Sequence, residues 1–469
     1  MQPSEVVPDN PIEDDSQAFR PVPDLVRFTV GDAPWWLLYR AAGWSVVQQM
    51  VWDFPEEVDP ESLRRFNDAL CHGRLHRQLV EPSVRGARPY WVRAPRPVPL
   101  ALDDQRIADD AVADWAVDEL RGVRLDPDEG RCWRLRAAVT ETGRTVLSLC
   151  TLHMVADGKA RVAAVAEALA AVERGDRMIP PKVPHPVASR SSDVVDAVRQ
   201  LGAAGAGILR AVKGNARTVE DDTQPLDSRA PRSPLAERAP AATPVWTTAT
   251  VPTADWDQVA RSHGGTANSL YIAVVAGLLR ASGYTAPENQ IKVGIPVAAR
   301  TDEDHDRGNA VAGVSVYLSP VPGPVMDLGV IREECRRAYK ALAGGRRATE
   351  VHLVPLGWFL PPSLIAKRGA PEASYPDAMT SNIGDLPPEV CTVGGVRASA
   401  VTVRGVPQGV DSEGRLRYGE GIHAWMARTE TNVTFTLCGF DEKHFVDDDT
   451  LRRLLAEELT AWGLPHRIW

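Results

Sequence analysis

The eight-residue run "TVLSLCTL", Thr145 to Leu152, places the tightest constraint on the fold of this chain. Before it stand a second strand-like run, "CWRLRAAV", and the turn "TETGR". Two runs of strand length joined by a short glycine-containing turn read as a hairpin. After it come "HMVADG" and the alanine-rich "KARVAAVAEALAAVE", whose apolar residues recur at helical spacing. The sequence therefore predicts Thr145–Leu152 as a central strand that hands over to a helix. A histidine, His153, and an Asp157-Gly158 pair lie in the handover.

The rest of the chain mixes strands and helices without the strict alternation of a parallel βαβ sheet, so the class is α+β. "VDPESLRRFNDALCHGRL" opens on Asp59-Pro60 and reads as a helix. Residues 1–20 are acidic and proline-rich, read as disordered, and carry no basic-then-apolar leader pattern. Residues 21–180 form one patterned unit. Residues 181–245 are rich in Pro, Ser and Ala around one helix, Asp193–Lys213, and read as a crossover linker. Residues 246–469 form the second unit. Within it "EVCTVGGVRASAVTVRGV", "GIHAWMA" and "TNVTFTLCGF" read as strands and "VDDDTLRRLLAEELTAWGL" as a capped helix.

Composition removes several function classes. Net charge is −9 and the basic residues are scattered, which argues against nucleic acid as a partner. The six cysteines show no CxxC spacing, so neither a zinc site nor a redox dithiol is indicated, and reduced thiols are expected. No apolar stretch reaches the ~18 residues that span a bilayer, so a soluble cytoplasmic protein is expected.

The spacing His-x-x-x-Asp-Gly, His153 to Gly158, suits proton transfer. Moving an acyl group from a thioester to a hydroxyl or amine requires a base for the acceptor's proton. A neutral imidazole does this near pH 7. The thioester is already activated, so no metal or redox cofactor is called for. Asp157 would pair with an arginine and hold the turn, and Gly158 would let the backbone turn sharply. The alternative from the residues alone is a packed histidine at a helix start, with Asp157 a first-turn carboxylate favoured by the helix dipole.

At these residues the chain resembles the condensation-domain-like acyltransferase superfamily. That group includes chloramphenicol acetyltransferase, peptide-synthetase condensation domains, bacterial wax ester synthase/diacylglycerol acyltransferases and mycobacterial polyketide-associated acyltransferases. "GRLHRQLVEPSVRGARPYWV", "GRCWRLRAAVTETGRTVLSLCTLHMVADG", "GGTANSLYIAVVAGLLRASG", "IPVAAR", "RGNAVAGVSVYL" and "MTSNIGDLP" resemble its segments in order. The resemblance implies two chloramphenicol acetyltransferase-like lobes joined by a crossover, with a tunnel between them and the base midway. It implies His153 as catalytic base and Asp157 and Gly158 as structural residues of the active site. Arg77 is the arginine expected to pair with Asp157, with Arg74 in reserve. Asn268, Arg300, Asn309, Ser381 and Asn382 match second-lobe signature positions and are expected at the substrate, the tunnel or the lobe interface, with Ser381 named for the oxyanion. The donor would be acyl-CoA or an acyl-carrier protein, the acceptor a hydroxyl on a lipid or secondary metabolite. An amine acceptor, or a non-catalytic carrier-protein or acyl-lipid binder, are the alternatives. Two fused lobes make a monomer sufficient. Leu152 stands where many relatives have a first histidine, and Asn268-Ser269 where the wax-ester group has Asn-Asp.

Trp35, Trp36, Trp44 and Trp52 crowd the opening of the first unit. Core packing is the expected role, with a tunnel lining or peripheral membrane contact as the other readings. Asp447–Asp449 reads as helix capping, the stretch around His305 as a solvated loop, and His72, His76 and His423 as ordinary histidines.

Overall fold

The computed structural model describes residues 25–176, 188–212, 240–286, 289–301, 307–318, 327–344, 349–361, 364, 376–409 and 421–469. The expectations for residues 1–20, for much of 181–245 and for the His305 stretch fall outside them.

Three sheets carry the fold. A small antiparallel sheet runs β1 (Leu25–Arg27), β4 (Tyr90–Arg93), β3 (Arg77–Val80). A five-stranded sheet has the order β14 (Ala400–Gln408), β2 (Ser45–Phe54), β7 (Thr145–Leu152), β6 (Trp133–Val139), β5 (Ala101–Leu102). A seven-stranded sheet runs β10 (Val311–Leu318), β9 (Ile291–Ala298), β11 (Ala378–Asp385), β15 (Ile422–Arg428), β16 (Asn432–Asp441), β8 (Pro240–Pro252), β17 (Arg467–Ile468).

The hairpin read from the sequence is present. β6 and β7 pair antiparallel from Val139↔Thr145 to Trp133↔Thr151. β7 is central, and all eight of its residues are buried. A strand buried on both faces needs apolar residues at odd and even positions alike, which is why its sequence does not alternate. Helix α3 (Val112–Gly122) covers one face, where Gln49 on β2 donates to the Ala116 carbonyl at 2.8 Å. Helices α2 (Pro60–His72) and α4 (Gly158–Glu173) pack together in the largest core cluster, around Met50, Trp52, Phe66 and Leu149. α2 begins where Asp59 and Pro60 predict, the Asp59 carboxylate accepting from Ser62 N at 3.0 Å.

β14 departs from the sequence reading. "EVCTVGGVRASAVTVRGV" is not one strand. It forms a short 3₁₀ turn (Pro388–Cys391), a two-residue hairpin of β12 (Thr392–Val393) and β13 (Val396–Arg397), and then β14. β14 leaves the second half of the chain and adds to the first sheet, pairing antiparallel with β2 from Ala400↔Asp53 to Gln408↔Ser45. It also stitches that sheet to the second, where Thr402 and Thr436 share a hydroxyl hydrogen bond of 2.9 Å.

The second core lies under the seven-stranded sheet, around the helices Ala267–Ala281 and Asp448–Ala461. Ser269 belongs to a capping box with Thr266, which fixes the start of the first of these helices. Asp447 caps the second, accepting from Thr450 N at 2.7 Å. α5 (Arg190–Val212) occupies the helical part of the expected linker, and Asp193 and Asp196 tie it to Arg27 on β1 and to Arg88 just before β4. All six cysteines are free and buried. Among the described residues no helix is long and apolar enough to cross a membrane.

Candidate functional site

Three segments far apart in sequence meet at His153. The first is the loop from β7 to α4. Its start is pinned by the His153 N–H donating to the Val46 carbonyl at 2.8 Å, and it tightens where Val155 N–H donates to the Leu152 carbonyl at 3.1 Å. The second is the connection from β9 to β10, which carries Arg300 and the run Arg307–Ala310. The third is the start of helix α1 (Ala33–Leu37), which carries Asp32 and Trp35.

Asp157 joins the first two segments. It is the N-cap of α4, and Oδ1 accepts from Ala160 N at 2.8 Å. Oδ2 accepts from Ala310 N at 2.8 Å and from Arg300 Nη2 at 3.0 Å. Its own N–H donates to the Gly308 carbonyl at 2.8 Å. Gly308 must lack a side chain, because a Cβ there would stand 2.5 Å from the Val155 carbonyl oxygen.

This geometry corrects two expectations. The arginine paired with Asp157 is Arg300, not Arg77. Arg77 lies 2% exposed on β3, where its carbonyl accepts from the Cys132 thiol at 3.1 Å. Arg74 pairs with Glu167 on α4. An arginine arriving from β9 clamps the β9–β10 connection onto α4, since it also donates to the Arg307 carbonyl at 2.7 Å. Gly158 is not a left-handed turn residue, because it lies within the first turn of α4 and outside the set of positive-φ glycines. Its missing side chain matters for packing, since a Cβ would sit 2.5 Å from the end of Ile383.

The imidazole of His153 is held on one edge and one face. Nδ1 lies 3.1 Å from Asn309 Oδ1. Asn309 is 1% exposed, and its Nδ2 donates to Asp32 Oδ1 and to the Met154 carbonyl, each at 3.0 Å. Both amide hydrogens are thus used on acceptors, which points the amide oxygen at the histidine. An amide oxygen only accepts, so Nδ1 carries the proton and Nε2 keeps the lone pair. Asp32 is fixed in turn by Thr29, whose N–H and hydroxyl donate to Oδ2 at 2.7 and 2.8 Å. Burial raises the Asp32 pKa above the usual carboxylate range.

Trp35 stacks on the His153 ring, with centroids 3.7 Å apart and planes 22° from parallel. The residue is half-buried, but the indole takes one ring face from water. Desolvation pushes the imidazole pKa down to about 4, against opposing pulls from its hydrogen bonds and the Asp157 carboxylate. The ring is neutral at physiological pH. Of the four early tryptophans, Trp36, Trp44 and Trp52 are core residues at 7%, 5% and 0% exposed. Trp35 is the one that meets the site.

The remaining expected residues lie on the seven-stranded sheet. Asn382 on β11 donates to Asn268 at 3.0 Å, so these two asparagines hold β11 to the helix Ala267–Ala281. Asn382 Oδ1 also accepts from Gly384 N at 2.8 Å across the bulge in β11. Ser381 is half-buried opposite Trp425, and no hydrogen bond joins it to His153. His423 on β15 lies against Phe440 and is pushed down to about 4 by burial. Among the described residues no group of three or more His, Cys, Asp or Glu could hold a metal ion.

Sequence reasoning missed Asp32 as a site residue, and it favoured core packing over a tunnel lining for Trp35. The one signal was an acidic residue set against an aromatic run in "GDAPWW".

No protein-family model and no curated protein sequence matches the chain. Solved structures do match in fold. The first condensation domain of the calcium-dependent antibiotic synthetase, in complex with a substrate analogue, is 17% identical with a TM-score of 0.58, over 93% of this chain and 96% of that one. Polyketide synthase associated protein 5 from Mycobacterium tuberculosis is 15% identical with a TM-score of 0.52, over 92% and 96%. The epimerization domain from the third module of tyrocidine synthetase B is 11% identical with a TM-score of 0.54, over 94% and 99%. The chain has the condensation-domain-like fold.

Proposed function

We propose that this protein is an acyltransferase that moves an acyl group from a thioester to a nucleophilic acceptor, with His153 as general base. One observation carries the reading. Asn309 Oδ1 sits 3.1 Å from Nδ1, and both amide hydrogens of Asn309 are already donated, so the basic lone pair is on Nε2. A core histidine needs no such tautomer control. A base does, because the wrong tautomer presents an N–H where a lone pair is needed.

The reaction balances on this chain's own groups. The acceptor O–H or N–H gives its proton to Nε2 as the heteroatom attacks the thioester carbonyl. The tetrahedral oxyanion collapses, the C–S bond breaks, and the imidazolium returns the proton to the leaving thiolate. Asp157, held by Arg300 and two backbone N–H groups, is a positioning residue that fixes the loop beneath the ring. Ser381, on the strand that packs Ile383 against the start of α4, is the side chain assigned to the oxyanion.

The donor is acyl-CoA or an acyl-carrier protein, in keeping with structural neighbours that are synthetase domains, and the setting is natural-product or lipid biosynthesis. A hydroxyl acceptor gives an ester and an amine gives an amide. The site supports both equally, because either nucleophile surrenders one proton to Nε2. No resident cofactor is part of the proposal.

The test is release of free thiol from acyl-CoA and acyl-carrier thioesters, with alcohols, amines or no acceptor added. Acceptor-dependent release supports the reading, and the acceptor that elicits it separates ester from amide formation. Thioester binding with no acceptor-dependent release in any arm would assign the protein to the binders instead. Solvent deuterium entering the acyl α-carbon, without transfer, would assign it to proton exchange.

A further inference from the structure

Arg161 lies one turn into α4, where its N–H donates to the Asp157 carbonyl at 2.9 Å. The residue is 1% exposed. Its Nε and Nη1 are buried without a hydrogen-bond partner. No ion pair to the guanidinium occurs among the described residues. The nearby carboxylate is already committed, since both oxygens of Asp157 are taken by Ala160 N, Ala310 N and Arg300. A cation buried without an anion is among the most costly features an interior can hold.

The charge is felt at the proposed base. Arg161 acts electrostatically on His153, where it disfavours the imidazolium, and is itself acted on by Asp157 and Cys150. Burial lowers the guanidinium pKa to about 10, which leaves it charged at neutral pH. A guanidinium with its donors unspent fits the two oxygens of a carboxylate.

We propose that Arg161 is a substrate-binding residue, and that the substrate carries a carboxylate that docks on the buried guanidinium in the first turn of α4, behind the His153 loop. The identification of the ligand as a substrate rests on the acyl-transfer reading; the anion site does not. The carboxylate belongs to the acyl chain of the donor or to the acceptor. Its arrival neutralises the unpaired guanidinium and sets the distance from the anionic group to the reacting carbonyl. Neutral analogues would leave Arg161 unpaired and bind worse.

The test uses the full chain and two readouts. In thermal unfolding, propionate at 100 mM raises the midpoint of the wild type by about 1–3 °C over sodium chloride at equal ionic strength and over propionamide. Arg161→Met unfolds at the wild-type temperature or above it, because an uncompensated charge has been removed, and does not respond to propionate. A wild type that ignores propionate overturns the site, as does an Arg161→Met protein that still responds. A variant that unfolds several degrees below wild type also overturns it, because the guanidinium then serves the fold. In turnover, succinyl-CoA is compared with butyryl-CoA, and a carboxylate-bearing acceptor with its amide. One of the two pairs favours the acid at least tenfold in wild type, and Arg161→Met erases that preference. Equal use of acid and neutral partner in both pairs contradicts a substrate role. Propionate binding with no turnover of any thioester would leave the anion site standing and refute acyl transfer.

Discussion

Replacing Asn309 with alanine separates tautomer control from simple stability. The substitution removes a bond of 3.1 Å to His153 and bonds of 3.0 Å to Asp32 and Met154. Asp32 keeps both donors from Thr29, so its carboxylate is not orphaned. The Met154 carbonyl and His153 Nδ1 lose their interior partner. At about 1–3 kcal/mol for each orphaned buried group, Asn309→Ala should cost about 2–6 kcal/mol of stability. The catalytic loss is separate. A base whose ring is no longer oriented forfeits roughly 10²-fold of the ~10²–10⁴ that a positioned base supplies. Asn309→Asp is the control. It keeps an acceptor facing Nδ1 but adds a negative charge, which favours the imidazolium and moves the acid limb of kcat/KM upward in pH. Asn309→Ala moves that limb downward, since the Asn309 hydrogen bond holds the histidine pKa up. The assay is thiol release across pH, with urea unfolding in parallel. A kcat/KM within threefold of wild type for Asn309→Ala, or limbs that move in the same direction in both variants, would refute the assignment.

Trp35→Ala should expose the ring face now covered at 3.7 Å. The histidine pKa is depressed to about 4 by desolvation, so wild-type activity persists in acid and is lost only as pH falls through that value, whereas in Trp35→Ala the limb should move up toward 6.5, read from the pH dependence of kcat/KM. Arg300→Met should leave the 2%-exposed Asp157 without its cation and cost about 3 kcal/mol in chemical denaturation. It should also lower kcat through the loosened β9–β10 connection, and a variant as stable as wild type would show that the pair does not hold the site.

What could be read from the sequence was local. The hairpin β6–β7 and the starts of α2 and α4 follow from short-range pattern: an apolar run, a turn and a cap. His153 and Asp157 were visible because their spacing falls within one loop. Asp32 and Asn309 are 277 residues apart, and no periodicity announces that one fixes the amide of the other. The same distance problem hid Arg300. The expectation of Arg77 came from a loose match, whereas the true pair depends on the connection after β9 meeting the loop after β7. The transfer of β14 into the first sheet was equally invisible, because strand pairing across 350 residues is decided by which sheet edge is open. Arg161 was hidden in a helix that also carries Lys159, Glu167 and Glu173, where a charged residue looks like an exposed position until its burial is seen.

The central claim is that Nε2 of His153 removes the acceptor's proton. Its most direct test is acceptor-dependent thiol release by His153→Ala, with folding checked by circular dichroism. A folded variant whose turnover falls by several orders of magnitude, while thioester binding stays within a few-fold of wild type, is the predicted result. A folded variant that keeps most of its turnover would contradict the claim.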